Sequence, residues 1–294
     1  MVTVIKKTAG DKISDLFIIV SMWFVIIITV YPFLFVFSMS ISDPKYVLDQ
    51  SVWLFPKGFS VESYKRVFEN PDIWSAYYNT IFYTVIGTIL NVALTIFGAY
   101  PLSRRSFFAR KQLMIFIVFT MFFSGGLIPL FILIKDLGLY NTRWAMIIPG
   151  AVSAFLLIVA RTFFQSIPES LDESAKMDGA NDITIMFRII MPLSKPIIAV
   201  LALFYAVGHW NSYFSAMIYL PDAKLQPLQL YLVKILIQNQ DKLSEGLTDE
   251  FNRALFTLQL KYSIIIVAIL PILLIYPFLQ KYFAKGVMVG SLKE

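Results

Sequence analysis

The sequence ESLDESAKMDGANDITIMFRIIMPLSKP, which runs from Glu169 to Pro196, is a polar stretch between two long hydrophobic runs. It carries acids, bases, one glycine and two prolines, although 58% of the residues in the chain are hydrophobic. Charged side chains are costly inside a bilayer, so a chain of this kind places them in loops at the membrane surface. The stretch is therefore predicted to form a surface segment between two membrane spans.

The composition of the whole chain indicates an integral membrane protein. Only 15% of its 294 residues are charged, whereas soluble domains average about 25%. The absence of cysteine excludes disulfides, thiolate metal sites and a cysteine nucleophile. A single histidine, His209, cannot build a histidine-based metal centre, so no metal site is predicted. No basic stretch is interleaved with aromatic residues in a way that indicates nucleic-acid binding.

Six stretches are long and apolar enough to span a bilayer, since a spanning helix needs about 20 mostly apolar residues. They are Leu16–Met39, Trp74–Leu102, Leu113–Ile134, Trp144–Phe164, Ile189–Tyr219 and Leu258–Phe283. The expected fold class is all-α, a polytopic membrane protein with six transmembrane helices. The first run is too long for the apolar region of a cleaved signal peptide, which has about 7–15 residues.

The distribution of basic residues predicts the orientation. The short loop RRSFFARK (residues 104–111) has four basic residues in eight, whereas KDLGLYNTR (residues 135–143) has two basic residues and one acid. Basic loops favour the cytoplasmic side. Both termini and the stretch that begins at Glu169 are then also expected in the cytoplasm, and the loops Ser40–Ile73 and Leu220–Thr257 outside.

Local signals within the polar stretch predict two short helices separated by a turn. Ser166 is expected to cap the first helix, and Glu169 to complete a capping box with it. Gly179 is the expected stop, because glycine takes the left-handed conformation without penalty. Asn181 or Asp182 can cap the second helix.

The first of these helices has small residues that would allow the close approach of another surface. They are Ser170, Ser174 and Ala175, with Glu173, Asp178 and Asp182 supplying charge at the rim. A solvated amphipathic loop is the alternative interpretation, and residue spacing alone does not exclude it.

The order of residues in this segment resembles the EAA motif of ABC-importer permeases. Glu173-Ser174-Ala175 is followed by Asp178-Gly179-Ala180, and then by an isoleucine three residues before Pro192. Ser174 stands where the family has alanine, which exchanges one small residue for another. The motif also lies between the fourth and fifth predicted spans, as in the sugar-importer permeases.

Two further segments resemble this family. The tail KYFAKGVMVGSLKE (residues 281–294) is similar to that of the smaller maltose-importer permease, with Gly286, Gly290 and Lys293 at matching places, although a terminal glycine is replaced by Glu294. In that group the tail contacts the ATPase subunits. GHWNSYFSAMIYLPD (residues 208–222) resembles a segment late in the fifth span, in a form found in permeases for oligosaccharides, including fragments of alginate and pectin-type polysaccharides.

The resemblance implies a permease subunit in the bacterial inner membrane that is not itself an enzyme. Its expected partners are a related permease subunit, two ATPase subunits, an extracytoplasmic solute-binding protein, an oligosaccharide and the lipid bilayer. Residues 166–192 would contain the cytoplasmic coupling helix within a transmembrane domain at 74–284, between an N-terminal region at 1–73 and a tail at 285–294. ATP and Mg are expected on the ATPase subunits, and the chain itself has no G-x-x-x-x-G-K-[ST] loop.

Polar and aromatic residues in the second and fifth spans are candidates for the substrate path, because sugar faces stack on rings while hydroxyls need donors and acceptors. They are Asn79, Tyr83, Asn91, Tyr205, His209, Trp210, Asn211 and Tyr213. Tyr205, His209 and Ser212 are spaced to share one helical face. For each residue the alternative role is packing between helices.

Three other functions are considered. A permease for a non-sugar solute would carry the same EAA motif. An intramembrane enzyme would need paired carboxylates or a Ser/His/Asp set, but the carboxylates cluster in loops and His209 has no acidic neighbour in its span. A scaffold without a conduction path would not require ATPase partners.

Overall fold

The computed structural model describes residues 9–238 and 258–274. Regular structure in these residues is helical, and strand pairing is limited to one isolated bridge between Ser42 and Phe59. The expected all-α class is confirmed for this part of the chain.

The α-helices that the structure describes are numbered α1 to α14. Their bounds are α1 Ala9–Ser40, α2 Pro44–Leu48, α3 Glu62–Glu69, α4 Pro71–Ser103, α5 Arg110–Phe122, α6 Leu127–Asp136, α7 Ala154–Ser166, α8 Glu169–Met177, α9 Asp182–Ile185, α10 Met191–Leu193, α11 Lys195–Trp210, α12 Phe214–Tyr219, α13 Leu228–Gln238 and α14 Leu258–Leu274. Short 3₁₀ turns occupy Arg143–Met146 and Ala223–Leu225, and a π-helical turn joins α9 to α10 at Met186–Ile190.

The chain divides into two compact units. The first comprises Met1–Asn70 and Ile235–Ile269, and the second comprises Pro71–Lys234 and Leu270–Glu294. The domain bounds expected from the sequence, at residues 73 and 284, stay predictions.

The first unit is held together by a buried polar cluster at the end of α1. The Ser40 carbonyl accepts hydrogen bonds from Ser63 Oγ at 3.3 Å, Ser263 Oγ at 3.3 Å and Gln259 Nε2 at 3.4 Å. Carbonyls in the last turn of a helix have no intrahelical partner, and these side chains satisfy one of them. Residues 16–34 of α1 are mostly apolar and exposed, with Phe17 and Trp23 more than half accessible, as expected for a lipid-facing helix.

Two predicted spans are continuous helices, whereas the third predicted span is broken. Gly10–Ser40 and Pro71–Ser103 are each long and apolar enough to cross a membrane. The predicted span Leu113–Ile134 is not a single straight helix, because α5 and α6 meet at a bend of 115°. Gly126 has φ +86° at this break, a conformation that glycine adopts without strain.

The fourth and fifth predicted spans are also interrupted. Residues 147–153 form turns ahead of α7, because Pro149 and Gly150 disfavour a helix, and Ser153 then accepts a hydrogen bond from the Leu156 amide as the N-cap. In the fifth, the chain bends by 82° at Ser194, where Asp182–Leu193 meets α11, and α11 ends at Trp210. Only the part of the sixth predicted span up to Leu274 lies within the described residues, and it is helical.

The second unit is organised around α4, which packs most extensively against α11 and α7. Ala99 of α4 and Ala160 of α7 are fully buried, and such small residues let helix backbones approach closely. The Phe164 ring meets the Tyr100 ring edge to face, with centroids 6.3 Å apart. This packing of α4, α7 and α11 positions the candidate functional residues described below.

Candidate functional site

A groove of about 390 Å³ opens between α4, α7 and α11 within the second unit. Its lining combines aromatic rings with hydroxyl, amide and imidazole groups, and it includes no Lys, Arg, Asp or Glu. The lining residues are Asn91, Gly150, Ser153, Phe155, Leu156, Phe204, Tyr205, Gly208 and His209. Three of the eight residues predicted for the substrate path, Asn91, Tyr205 and His209, are brought together here.

The His209 imidazole is held against α4 by Asn91 and Gly87. Asn91 Nδ2 donates to His209 Nε2 at 3.2 Å and to the Gly150 carbonyl at 3.2 Å. Because the amide nitrogen is a donor, Nε2 accepts and the ring proton lies on Nδ1. A Cβ on Gly87 would lie only 2.4 Å from His209 Nε2, so the ring needs glycine at this position. Asn91 Oδ1 is buried without a hydrogen-bond partner among the described residues.

The Tyr205 hydroxyl joins α11 to both other walls of the groove. It accepts a hydrogen bond from the Ser153 amide at 3.0 Å and shares one with Thr95 Oγ1 at 2.7 Å. Tyr205 and Thr95 are buried. These bonds fix the ring at the groove wall, one helical turn from His209.

Asn79 and Tyr83, near the other end of α4, hold the segment Lys224–Gln226 rather than lining the groove. Asn79 Nδ2 donates to the Lys224 carbonyl at 2.7 Å, and Tyr83 Oη donates to the Leu225 carbonyl at 2.7 Å. Asn79 Oδ1 accepts from Arg143 Nη2 at 3.3 Å. These contacts favour the packing alternative, and a direct substrate role for the two residues stays a prediction.

The predicted residues at the end of α11 lie outside the groove lining. Trp210 is buried, Asn211 donates from Nδ2 to the Val207 carbonyl at 2.9 Å, and Tyr213 is partly exposed. Ser212 lies beyond the end of the helix, so the face predicted from its spacing contains only Tyr205 and His209. A substrate role for Trp210, Asn211 and Tyr213 stays a prediction.

The turn after α8 has the geometry that its sequence predicts. Gly179 has φ +81°, its amide donates to the Lys176 carbonyl at 3.0 Å, and the Ala180 amide donates to the Ala175 carbonyl at 2.9 Å. This pair of bonds is the Schellman motif of a glycine-terminated helix. Asn181 then caps α9 by accepting from the Thr184 amide at 2.8 Å.

The predicted capping box at the start of α8 is wrong. Helix α7 extends through Ser166, whose Oγ donates to the Phe163 carbonyl at 2.7 Å. Pro168 occupies the N-cap position of α8 without a side-chain hydrogen bond. The apolar run of α7 continues to Ser166, so this serine stabilises the end of one helix instead of beginning the next.

The two faces of α8 differ in exposure. Glu173 and Ser174 are exposed, as are Asp178 and Gly179 in the turn, and they are available to a partner. Ala175 is 8% exposed and packs in the core cluster of the second unit, with Ala180 packed against it. The helix thus turns Ala175 inward, and a role of this residue in coupling stays a prediction.

Ion pairs fix α8 to the basic loop after α4. Asp172 Oδ2 lies 2.9 Å from Arg104 Nε, and Glu169 Oε1 lies 3.3 Å from Arg105 Nε. Burial raises the pKa of the Asp172 carboxyl, and the charge of Arg104 partly offsets this. The basic loop and α8 therefore lie next to each other, and their cytoplasmic location stays a prediction.

Pro192 lies two residues after the end of the π-helical turn Met186–Ile190. Proline has no amide proton, and its ring displaces the carbonyl four residues earlier, so a local widening of the helix accommodates it. The bend at Ser194 follows directly.

A protein-family model matches most of the chain. The model described as "Binding-protein-dependent transport system inner membrane component" matches residues 73–289. The chain belongs to this family. The protein is therefore a membrane permease component of a binding-protein-dependent transport system.

Relatives of the permease match it over nearly its whole length. Protein LplC of Bacillus subtilis is 41% identical over 98% of this chain and 97% of its own. The polygalacturonan/rhamnogalacturonan transport system permease protein YtcP of the same organism is 41% identical, over 96% of this chain and 99% of its own. A crystal structure of a bacterial ABC transporter involved in the import of the acidic polysaccharide alginate contains a chain with 36% identity and a TM-score of 0.87, over 94% of this chain and 99% of that one.

Sequence reasoning missed the other residues that line the groove of the permease, and one supporting glycine. The missed lining residues are Gly150, Ser153, Phe155, Leu156, Phe204 and Gly208. The first four lie in the predicted fourth span, near the Pro149-Gly150 pair, which is a signal for a break. Gly208 begins the family-like segment at residues 208–222, although that resemblance assigns it no role, whereas Phe204 and the supporting Gly87 have no distinguishing pattern in apolar helices. Only the packing of α4 against α11 shows why Gly87 lacks a side chain.

Two further predictions for the permease concern its C-terminal tail and the absence of a metal site. Gly286, Gly290 and Lys293 lie outside the described residues, so the role of the tail stays a prediction. Within residues 9–238 and 258–274, no group of three or more His, Cys, Asp or Glu side chains could hold a metal ion.

Proposed function

We propose that this permease forms half of the translocation path of an ATP-driven importer for oligosaccharides released from acidic polysaccharides. The observation that carries the proposal is its similarity, over nearly the full length of each chain, to a polygalacturonan/rhamnogalacturonan permease and to a chain of an alginate importer. The polysaccharides named for these relatives all contain acidic sugars, although the sugars differ.

The groove chemistry supports a carbohydrate substrate. Phe155 and Phe204 supply apolar rings for sugar faces, and Asn91, Tyr205 and His209 lie beside them. These three side chains supply amide, hydroxyl and imidazole groups, which are the kinds of hydrogen-bond partner that sugar hydroxyls need. These polar groups are fixed by their neighbours, which reduces the entropy lost on binding.

Six transmembrane spans with both termini in the cytoplasm form the proposed topology. The spans are α1, α4, the bent pair α5–α6, α7, the bent segment that ends in α11, and the helix that begins with α14. The charge-rich loop after α4 lies at the same end as α8, which supports placing both in the cytoplasm.

Coupling to ATP hydrolysis is proposed to occur through α8 and the Gly179 turn. Glu173, Ser174 and Asp178 would contact a groove on an ATPase subunit, while Ala175 and the Arg104–Asp172 pair connect that contact to α4. ATP and Mg would bind on two ATPase subunits. A second, related permease and an extracytoplasmic binding protein would complete the importer.

Neutral oligosaccharides are a second candidate substrate. The described groove lining contains no lysine or arginine, so this chain offers a uronate carboxylate only the hydrogen bonds of His209 and its neighbours. A neutral sugar would satisfy the same groups without desolvating a charge.

ATP hydrolysis by the reconstituted importer distinguishes the two substrates. The complex, purified through this subunit and supplied with its binding protein in vesicles, would be given oligogalacturonates, alginate oligomers, and neutral maltooligosaccharides of equal length. Methyl-esterified oligogalacturonates are the matched control, because esterification removes the charge and retains the sugar. We expect stimulation by an acidic series and little by its ester; stimulation by the neutral sugars alone would overturn the acidic assignment.

Co-purification tests the coupling assignment separately. Glu173→Lys should weaken association with the ATPase subunits, because it reverses an exposed charge on the proposed contact face. Lys176→Gln, which removes an exposed charge from the same helix, should have the smaller effect. Equal recovery of ATPase with Glu173→Lys and the parent would show that α8 does not make this contact.

A further inference from the structure

A second cavity, of about 410 Å³, lies between α5 and α7. It is separate from the groove, with which it shares no lining residue. Three cationic side chains and three apolar ones line it: Arg110, Lys111, Met114, Ile115, Val118 and Arg161. The transport mechanism proposed above uses none of these side chains.

The cations in this cavity are not balanced by carboxylates. None of the ion pairs among residues 9–238 and 258–274 includes Arg110, Lys111 or Arg161. Arg161 is held in place by a hydrogen bond from its Nε to the Leu102 carbonyl at 2.9 Å. Like charges gathered at a membrane helix repel one another, and an anion from outside the chain would offset that repulsion.

The first turn of α5 adds to the attraction for an anion. Arg110 and Lys111 are the first two residues of this 13-residue helix, and the preceding Ala109 provides no side-chain cap. The Arg110 amide donates to the Phe107 carbonyl at 3.2 Å, but the dipole at a helix N-terminus still favours negative charge, so the two cations lie where the backbone disfavours them. A phosphate group at this position would satisfy both the helix end and the side chains.

The remaining wall of the cavity is apolar and follows α5 away from the cations. Ile115 and Val118 lie one to two helical turns beyond Lys111, and both are exposed. Their spacing places them on the face of the helix that Lys111 shares. A ligand that fits this wall has an anionic head and a hydrocarbon chain.

We propose that the cavity binds an anionic phospholipid, with its phosphate between Arg110, Lys111 and Arg161 and an acyl chain along Ile115 and Val118. Basic pockets beside membrane helices bind anionic lipid head groups in this way. The site lies at the end of the molecule that carries α8, so a lipid there would brace α5 against α7 near the coupling segment. The proposal does not depend on which sugar the importer carries.

Lipid retention by the full complex tests this proposal. The parent and an Arg110→Gln/Lys111→Gln variant would be purified from phosphatidylcholine vesicles that contain a minority of phosphatidylglycerol, and the co-purified lipids quantified by mass spectrometry. We expect the variant to bind phosphatidylglycerol about thirtyfold more weakly, since each Lys or Arg near a lipid surface contributes about 1 kcal/mol. Phosphatidylcholine should be retained equally.

Two controls keep the result specific. Lys195→Gln removes an exposed charge outside the cavity and should retain phosphatidylglycerol as the parent does. Glycerol phosphate, which has the head group without the acyl chains, should not displace the lipid. Equal retention by parent and double variant, equal loss with Lys195→Gln, or displacement by glycerol phosphate would each overturn the proposal. Unchanged recovery of the ATPase subunits with the double variant would show that it still folds.

Discussion

Arg104 Nε lies 2.9 Å from Asp172 Oδ2, and this contact joins the end of α4 to α8. Both side chains are nearly buried, and the Arg104 guanidinium also lies 4.9 Å from the centroid of the Tyr100 ring. Since α4 forms one wall of the groove and α8 is the proposed ATPase contact, the ion pair provides a direct connection between them.

Arg104→Gln should destabilise the complex strongly, because removal of one partner leaves the buried Asp172 carboxylate unpaired. Losses of about 3–5 kcal/mol are typical of such broken pairs. Arg105→Gln is the matched control, because its pair with Glu169 is exposed and pairs of that kind contribute about 0–1 kcal/mol. Thermal unfolding of the two variants measures the difference. Equal losses of stability would show that the Arg104–Asp172 pair contributes no more than the exposed Arg105–Glu169 pair.

The thermal stability of the protein should depend on pH through the protonation of the Asp172 carboxyl. Burial raises the pKa of this carboxyl above its usual value of 3.8, so the folded protein holds the proton more tightly than the unfolded chain. The protonated Asp172 carboxyl therefore stabilises the folded protein at pH values below the unfolded pKa. That stabilisation is lost as the pH rises through the higher pKa of the folded state. Unfolding temperatures of the parent should therefore fall, relative to Asp172→Asn, as the pH is raised from about 4; parallel curves would contradict the assignment.

Gly179→Val should uncouple ATP hydrolysis from transport without preventing membrane insertion. A β-branched residue at φ +81° is strained by on the order of 1–3 kcal/mol, so the turn would rearrange. Gly179→Asn should be milder, because asparagine tolerates the left-handed conformation. Transport and hydrolysis would be measured together in vesicles. Full transport by the valine variant would refute the role of this turn.

Gly87→Ala should disturb the groove through His209. The new methyl group would lie 2.4 Å from His209 Nε2, so the ring must leave its bond with Asn91. We expect a higher substrate concentration at half-maximal transport. Gly98→Ala on the same helix is the control, because its nearest neighbour is the tip of Leu157 at 3.2 Å. Adding His209→Ala to Gly87→Ala should cause little further loss, and full additivity would contradict this explanation.

His209→Ala and Asn79→Ala should separate substrate binding from packing. His209→Ala should raise the half-maximal substrate concentration with little change in the yield of the complex.

Asn79→Ala should lower thermal stability by about 1–3 kcal/mol, because the carbonyls that accept hydrogen bonds from Asn79 Nδ2 lose their donor. If His209→Ala changes only the yield, that histidine has a packing role.

The order of residues from Glu173 to Pro192 is sufficient to predict both the family and the Gly179 turn. The turn is predictable because it depends on one residue type at one backbone conformation, and the interaction is local. The helical class and the two continuous spans are predictable for a similar reason, since about 20 apolar residues in sequence suffice to define a spanning helix.

The break at Gly126 is not predictable from hydrophobicity, which does not distinguish a straight span from a bent one. The bend at Ser194 is predictable, because Pro192 and Pro196 flank it. The prediction for Ser166 fails for a related reason: the same hydroxyl can bond forward as an N-cap or backward to the preceding turn. Packing decides between the two.

The sequence by itself determined the membrane class, the family and the chemistry of the coupling turn, since these follow from composition and from contacts between near neighbours. Only the tertiary structure decided which polar residues share the groove, that Ala175 faces inward, and that Gly87 makes room for His209. Those relationships join helices far apart in the chain, and they depend on close packing that no local pattern encodes.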